Sequence, residues 1–273
     1  MTTPSDRYTH GHHESVLRSH TWRTAENSAG FLLSHLQRGQ SVLDVGCGPG
    51  TISADIARLV APGSVTGIDL SHDVIELARR SAEGMDVANL SFQVGDVYDL
   101  QFADSSFDVV YAHQVLQHLS EPIRALREMR RVLAPDGLVA VRDADYGKFT
   151  WSPRVPRLER WMELYHDITK RNGAEADAGR YLVDWVRDAG FENWTTSTSQ
   201  WRFRTDEERA WWGGLWADRV QKSEFARQGL EFELTTPKEL NEISAAFLEW
   251  SEDPEAEFEV VHDEVLARND SPQ

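Results

Sequence analysis

Between residues 41 and 142 the chain alternates short continuous apolar runs with stretches whose apolar residues lie three and four apart. The first rhythm suits strands buried on both faces and the second suits helices packed by one face. Together they predict a mostly parallel sheet with helices on both sides. Ser41–Val45 reads as a strand that runs into Gly46-Cys47-Gly48-Pro49-Gly50, and Thr51–Val60 as a helix with Ile52, Ile56, Leu59 and Val60 on one face. Ser64–Asp69 is a second strand, and Ser71 is the N-cap of a helix over 72–82 with Val74, Ile75, Leu77 and Ala78 inward. Further strands are predicted at 89–94, 107–111 and 138–142, with a helix over 121–133 and a Pro135-Asp136-Gly137 turn before the last of them.

Past residue 145 the alternation loosens. Helices are predicted over 157–172 and 179–188, then a stop at Gly190-Phe191 and a strand through Trp201. Helices over 206–228 and 237–250 follow, and a strand returns at 258–267. The expected organisation is one domain in three stretches. Residues 1–40 form an N-terminal helical lid, and 41–144 form the core. Residues 145–273 close a seven-stranded sheet and insert helical caps at about 145–179 and 205–254. Nine of the ten tryptophans follow residue 150. Large side chains let small added helices bury enough area, and apolar pockets are lined by the same residue types. Trp211, Trp212 and Trp216 cannot all share one helical face, so both uses are expected.

The 273-residue length suits one such domain. A net charge of −17 repels a phosphate backbone, which argues against nucleic acid and for a small-molecule partner. Cys47 is the sole cysteine, so no intrachain disulfide forms. The first residues lack the apolar core of a signal peptide, and no long apolar run suggests a membrane span. A cytoplasmic protein is the expectation, with a homodimer left open.

The chemistry concentrates at strand ends. In Val42-Leu43-Asp44-Val45-Gly46-Cys47-Gly48-Pro49-Gly50 a strand ends in a glycine loop, where backbone can approach a ligand without side-chain obstruction. Asp69, 23 residues after Gly46, ends the next strand, where a carboxylate can accept both ribose hydroxyls of an adenosine. Asp96 follows the third strand in Val94-Gly95-Asp96-Val97. The dinucleotide pattern would require a small residue at Thr51. Asp44 would also repel a pyrophosphate, yet it suits a sulfonium and an α-ammonium group. Adenosine joined to positive charge describes S-adenosylmethionine.

On these residues the chain resembles the class I S-adenosylmethionine-dependent methyltransferases, near the ubiquinone/menaquinone-biosynthesis type, over about 41–144. The later Glu128-Met129-Arg130-Arg131-Val132-Leu133-Ala134-Pro135-Asp136-Gly137 is similar to that family's helix-turn-strand. The resemblance implies a Rossmann-like α/β fold. Asp44 with Gly46, Cys47, Gly48 and Gly50 would cradle the methionine moiety. Asp69 and Leu70 would meet the ribose side, and Gly95, Asp96 and Val97 the adenine. His113 and Gln114 would lie near the methyl group, after the fourth strand. S-adenosylhomocysteine would be the product.

Histidines are the remaining candidates. His10, His12, His13 and His20 lack an accompanying ligand set, so a lid over the cofactor is favoured over a metal site. Tyr8, Trp22 and Arg23 would belong to that lid, with Arg23 a fork for the cofactor carboxylate. His113 and His118 are candidate catalytic bases, although packing on an apolar helix is favoured for His118. Cys47 reads as a wall residue. Methyl transfer by in-line displacement follows, chiefly through orientation, and needs no obligatory base. The alternatives are an NAD-dependent oxidoreductase and a non-catalytic cofactor-binding module.

Overall fold

The computed structural model describes residues 6–11 and 14–269. Strands β1 (Ser41–Val45), β2 (Ser64–Asp69), β3 (Leu90–Val94), β4 (Phe107–His113) and β5 (Leu133–Ala144) are parallel, in the order β3-β2-β1-β4-β5. Neighbouring β1 residues show why: Val42 is buried on one face of the sheet and Leu43 on the other. A strand buried on both faces needs helices on both sides. These are α3 (Thr51–Val60), α4 (His72–Glu83) and α5 (Pro122–Val132), with α1 (Glu14–Thr21) and α2 (Ala25–Leu33) preceding β1. Thr24 and Asn27 cap α2 reciprocally, and Tyr111 and Trp201 donate to its Ser28 and Asn27 carbonyls.

The sheet closes antiparallel. β8 (Glu257–Arg268) pairs with β5 on one side and with β7 (Asn193–Phe203) along its whole length on the other. An eighth strand, β6 (Thr150–Ser152), continues the β5 side of β8, which corrects the expected count of seven. Its three residues carry no periodic signal.

Other boundaries also differ from the sequence expectations. His113 ends β4 rather than following it. The stretch 179–188 is a 3-10 turn (Ala178–Tyr181) followed by α7 (Leu182–Asp188). The stretch 206–228 divides into α8 (Asp206–Lys222) and α9 (Glu224–Glu231) at Ser223, whose extended backbone breaks the helix while its hydroxyl caps the next one. The Pro135-Asp136-Gly137 turn is a bulge within β5: Leu133 faces Phe107, but Leu138 already faces Val109.

Helices α6 (Pro156–Arg171), α8, α9 and α10 (Pro237–Glu252) pack together beyond the carboxyl end of β5. Their centre is aromatic. Trp161 lies 4.5 Å from Trp216 and 5.2 Å from Phe247, ring to ring. β8 ties this cluster to the sheet, with Phe258 and Val260 in the aromatic cluster and Val265 and Ala267 in the sheet core.

Candidate functional site

A cavity of about 930 Å³ opens at the carboxyl ends of β1, β2, β4 and β5, where ligands lie in open α/β sheets. Its first wall is the glycine loop. Gly46 has φ +69°, and a Cβ there would sit 2.4 Å from Val115 Cγ2. Only glycine satisfies both the angle and the contact. Cys47 and Gly48 line the cavity, whereas Gly50 does not. Gly50 instead starts α3 with φ +81°, pressed on Phe92, so its role is to turn the chain rather than to face a ligand.

Asp69 ends β2 with both carboxylate oxygens engaged by the loops around it. Oδ2 accepts from the Gly48 N–H at 3.3 Å, and Oδ1 accepts from the Ser71 N–H at 3.0 Å. The carboxylate is thus fixed beside the loop. Asp44 is buried beneath the same loop, accepts the Ser53 hydroxyl at 2.5 Å, and is pushed up to about 7 by burial. A cationic ligand there would restore its charge. Leu70, Gly95, Asp96 and Val97 line the adjoining wall, with Asp96 accepting from the Tyr98 N–H at 2.9 Å.

His113, the last residue of β4, and Gln114 after it line the cavity. Gln114 Oε1 accepts from the Arg23 guanidinium, and its Nε2 donates to His262 Nε2 at 2.8 Å. Arg23 also lies over Trp201, its charge centre 5.6 Å from the ring, and its Nε is buried without a partner. His113 Nδ1 lies 3.3 Å from Arg142 NH1. A guanidinium only donates, so Nδ1 accepts and the proton resides on Nε2, which is buried and unpartnered. Arg142 is itself held by Glu264 at 3.2 Å, both being buried.

His118 lies on a single 3-10 turn, Leu116–His118, not on the apolar helix expected from sequence. Gln117 Oε1 accepts from the Ala144 N–H, which points its amide nitrogen at His118 Nε2, 3.0 Å away. His118 therefore carries its proton on Nδ1, buried and unpartnered. Burial lowers its pKa to about 3 and drives that of His113 well below the usual value. In both imidazoles one ring nitrogen is held by a neighbour and the other is buried without a partner.

Residues 6–11 cross from the sheet to the helices. Asp6 accepts from the Tyr98 hydroxyl and the Ser120 N–H, while the Tyr8 carbonyl accepts from Gln228 on α9. His10 Nε2 sits between the Tyr146 and Tyr165 hydroxyls, at 3.3 and 3.0 Å. His12 and His13 lie outside the described residues. Among the described residues no group of three or more potential ligands could hold a metal, and no helix is long and apolar enough to cross a membrane.

Trp201, Trp212 and Trp216 line the cavity, whereas Trp211 packs on Trp22 and Phe203. Arg219, Tyr146 and Phe149 line it too and were not singled out from sequence. For Arg219 a signal existed: Trp212, Trp216 and Arg219 are spaced four and three apart, which places them on one face of α8.

A family model described as a methyltransferase domain matches residues 36–201. An uncharacterized methyltransferase of Schizosaccharomyces pombe is 30% identical over 99% of this chain and 100% of its own. A demethylmenaquinone methyltransferase of Listeria welshimeri is 34% identical over 49% of this chain and 54% of its own. Among solved structures, a putative methyltransferase from Bacillus halodurans C-125 has the same fold, with TM-score 0.57 and 20% identity, over 88% of this chain and 97% of that one. The glycine loop, the acids at successive strand ends and these likenesses agree: the chain belongs to the methyltransferase domain family and has the fold of the class I S-adenosylmethionine-dependent methyltransferases.

Proposed function

We propose that this protein transfers a methyl group from S-adenosylmethionine to a small-molecule acceptor and releases S-adenosylhomocysteine. The observation that carries the reading is the buried Asp44 carboxylate under the glycine loop, beside the fixed carboxylate of Asp69. A buried acid held near neutrality by desolvation is costly unless a cation joins it. It opposes a pyrophosphate, and so opposes the NAD-dependent alternative.

When bound, S-adenosylmethionine supplies an electrophilic methyl carbon on a positively charged sulfur. In this reading Asp69 accepts the ribose hydroxyls, while Leu70, Gly95, Asp96 and Val97 bound the adenine. Asp44 meets the ammonium group, Arg23 and its unpartnered Nε meet the carboxylate, and Gly46, Cys47 and Gly48 leave room for the chain between. His113 and Gln114 bound the methyl end. Residues 145–179 and 205–254 act as a substrate cap, and 6–11 as part of a strap across the mouth. Orientation in a dry site can supply about 7–11 kcal/mol of a displacement barrier. The hydrogen bonds at His113 Nδ1 and His118 Nε2 occupy the lone pairs that a base would use, which supports a positioning role over proton removal.

Incubation with methyl-labelled S-adenosylmethionine and a panel of phenols, quinols, amines and thiols tests the reading. Labelled product from one class supports it. Cofactor binding without transfer to any member favours the non-catalytic module.

A further inference from the structure

Trp201 lies near the end of β7, paired with Val260 of β8, and lines the cavity with a side chain that is largely buried. Two guanidiniums share its ring. The Arg23 charge centre lies 5.6 Å from the ring centroid, and that of Arg142 lies 5.0 Å from it. Both distances fall within the range over which the negative face of an indole attracts a cation.

The indole is itself held in place. Its Nε1 donates to the Asn27 carbonyl at 2.8 Å, the Trp22 ring meets it edge-on at 5.2 Å, and the His262 ring packs against it at 4.4 Å. Trp22 precedes Arg23 at the turn between α1 and α2, and Asn27 follows it in the first turn of α2. One ring on β7 therefore touches the chain on both sides of Arg23 as well as the Arg23 side chain.

Arg23 needs that hold. Burial lowers it to about 10, Arg219 and Arg142 add like charge nearby, and among the described residues it forms no ion pair. Its hydrogen bond to Gln114 Oε1 fixes one terminal nitrogen but leaves the guanidinium plane free to turn about that contact. A planar fork receives a carboxylate best when its plane is set before the ligand arrives. The indole face supplies the second restraint, and it attracts the cation without neutralising it, as a protein carboxylate would.

We propose that Trp201 is a positioning residue for the cofactor: its indole face holds the Arg23 guanidinium in the orientation that receives the carboxylate of the methionine moiety. The proposal rests on the reading that Arg23 meets that carboxylate.

Calorimetric titration of the full chain with S-adenosylhomocysteine and with its decarboxylated analogue, which keeps the adenosine, the sulfur and the amine, tests both. The unmodified chain is expected to bind S-adenosylhomocysteine at least tenfold more tightly than the analogue. Trp201→Leu is expected to weaken S-adenosylhomocysteine by about tenfold and the analogue by less than about twofold. Trp201→Phe keeps an aromatic face and loses the indole N–H, and is expected to recover most of that loss. In an Arg23→Met background, Trp201→Leu is expected to cost S-adenosylhomocysteine less than about twofold, because the group that it positions is gone. Equal losses for the two ligands in Trp201→Leu, unchanged S-adenosylhomocysteine affinity, no recovery in Trp201→Phe, or the full loss in the Arg23→Met background would overturn the proposal. Equal affinity of the unmodified chain for the two ligands removes the carboxylate contact and the proposal with it, whereas failure of S-adenosylhomocysteine to bind at all overturns the cofactor reading as well.

Discussion

Gln114 joins Arg23 to His262: its carbonyl oxygen accepts from the guanidinium, and its amide nitrogen donates to His262 Nε2 at 2.8 Å. Residue 23 precedes α2, whereas residue 262 lies in β8, so one side chain at the end of β4 holds the N-terminal segment against the last strand. Arg23 is thereby kept in the cavity as a cation, although burial lowers it to about 10. Replacing Arg23 by Met removes both charge and fork, and a charged hydrogen bond is worth about 1.5–3 kcal/mol. Cofactor affinity is expected to fall roughly tenfold to a hundredfold. Gln114→Leu keeps the cation but frees its position, so a smaller loss is expected. Titration of both variants with S-adenosylhomocysteine checks the order, and a larger loss in Gln114→Leu would contradict it.

Asp44 is expected to link cofactor binding to pH. Burial holds it at about 7 in the unliganded protein, so at pH 6 most molecules carry its proton. A bound ammonium and sulfonium favour the carboxylate and expel that proton. Binding of S-adenosylmethionine at pH 6 is expected to release close to one proton, and at pH 8.5 almost none. Calorimetry in buffers of different ionisation enthalpy reads this directly. Asp44→Asn is expected to bind weakly and to lose the pH dependence.

Gly46→Ala meets two obstacles that can be told apart. The φ of +69° disfavours any L side chain, and the new methyl would press on Val115 at 2.4 Å. A loss of about 2–4 kcal/mol in stability is expected from the two together. Adding Val115→Ala relieves the contact but not the angle, so denaturant titration of the double variant is expected to recover part of the loss. Full recovery would mean that the backbone angle costs nothing.

Stability is expected to be greatest between about pH 6 and 7. Burial raises Asp44 to about 7 and Asp143 to about 8. Their folded-state protons contribute stability at low pH that is lost as pH rises from about 4 through 7 and 8. Burial lowers His118 to about 3 and drives His10, His113 and His262 well below the usual value. Four imidazoles that resist protonation when folded lose stability as pH falls below about 6.5, and they outnumber the two acids in that range. Thermal unfolding from pH 5 to 9 should give a maximum in Tm, and a monotonic rise toward pH 5 would contradict these assignments.

The legible part of the molecule was what local chemistry dictates. The stretches Ser41–Val45 and Ser64–Asp69 read as strands because each is short and runs into a glycine loop or a capped helix start, and the spacing of Gly46, Gly48 and Asp69 follows from placing a loop and an acid at adjacent strand ends. What escaped was decided by distant partners. Arg142 and Glu264 are buried together although 122 positions apart, and nothing local to either announces the pair. The proton of His118 is positioned by Gln117, whose own amide is oriented by Ala144 on β5. The break at Ser223 is hidden in a sequence of otherwise continuous helical spacing, because its hydroxyl ends one helix and starts the next. The segment 6–11 has no periodic pattern, since its contacts are with Tyr98, Ser120, Gln228 and two tyrosines from other elements.

The central claim is that the loop at Gly46, with Asp44 and Asp69, holds an adenosyl cofactor. Calorimetric titration of the purified chain with S-adenosylmethionine, S-adenosylhomocysteine and NADH, repeated on Asp69→Ala, tests it most directly. Micromolar binding of the two adenosyl ligands, lost in the variant, with none of NADH, is the predicted result. Binding of NADH alone, or of none of the three, would contradict it.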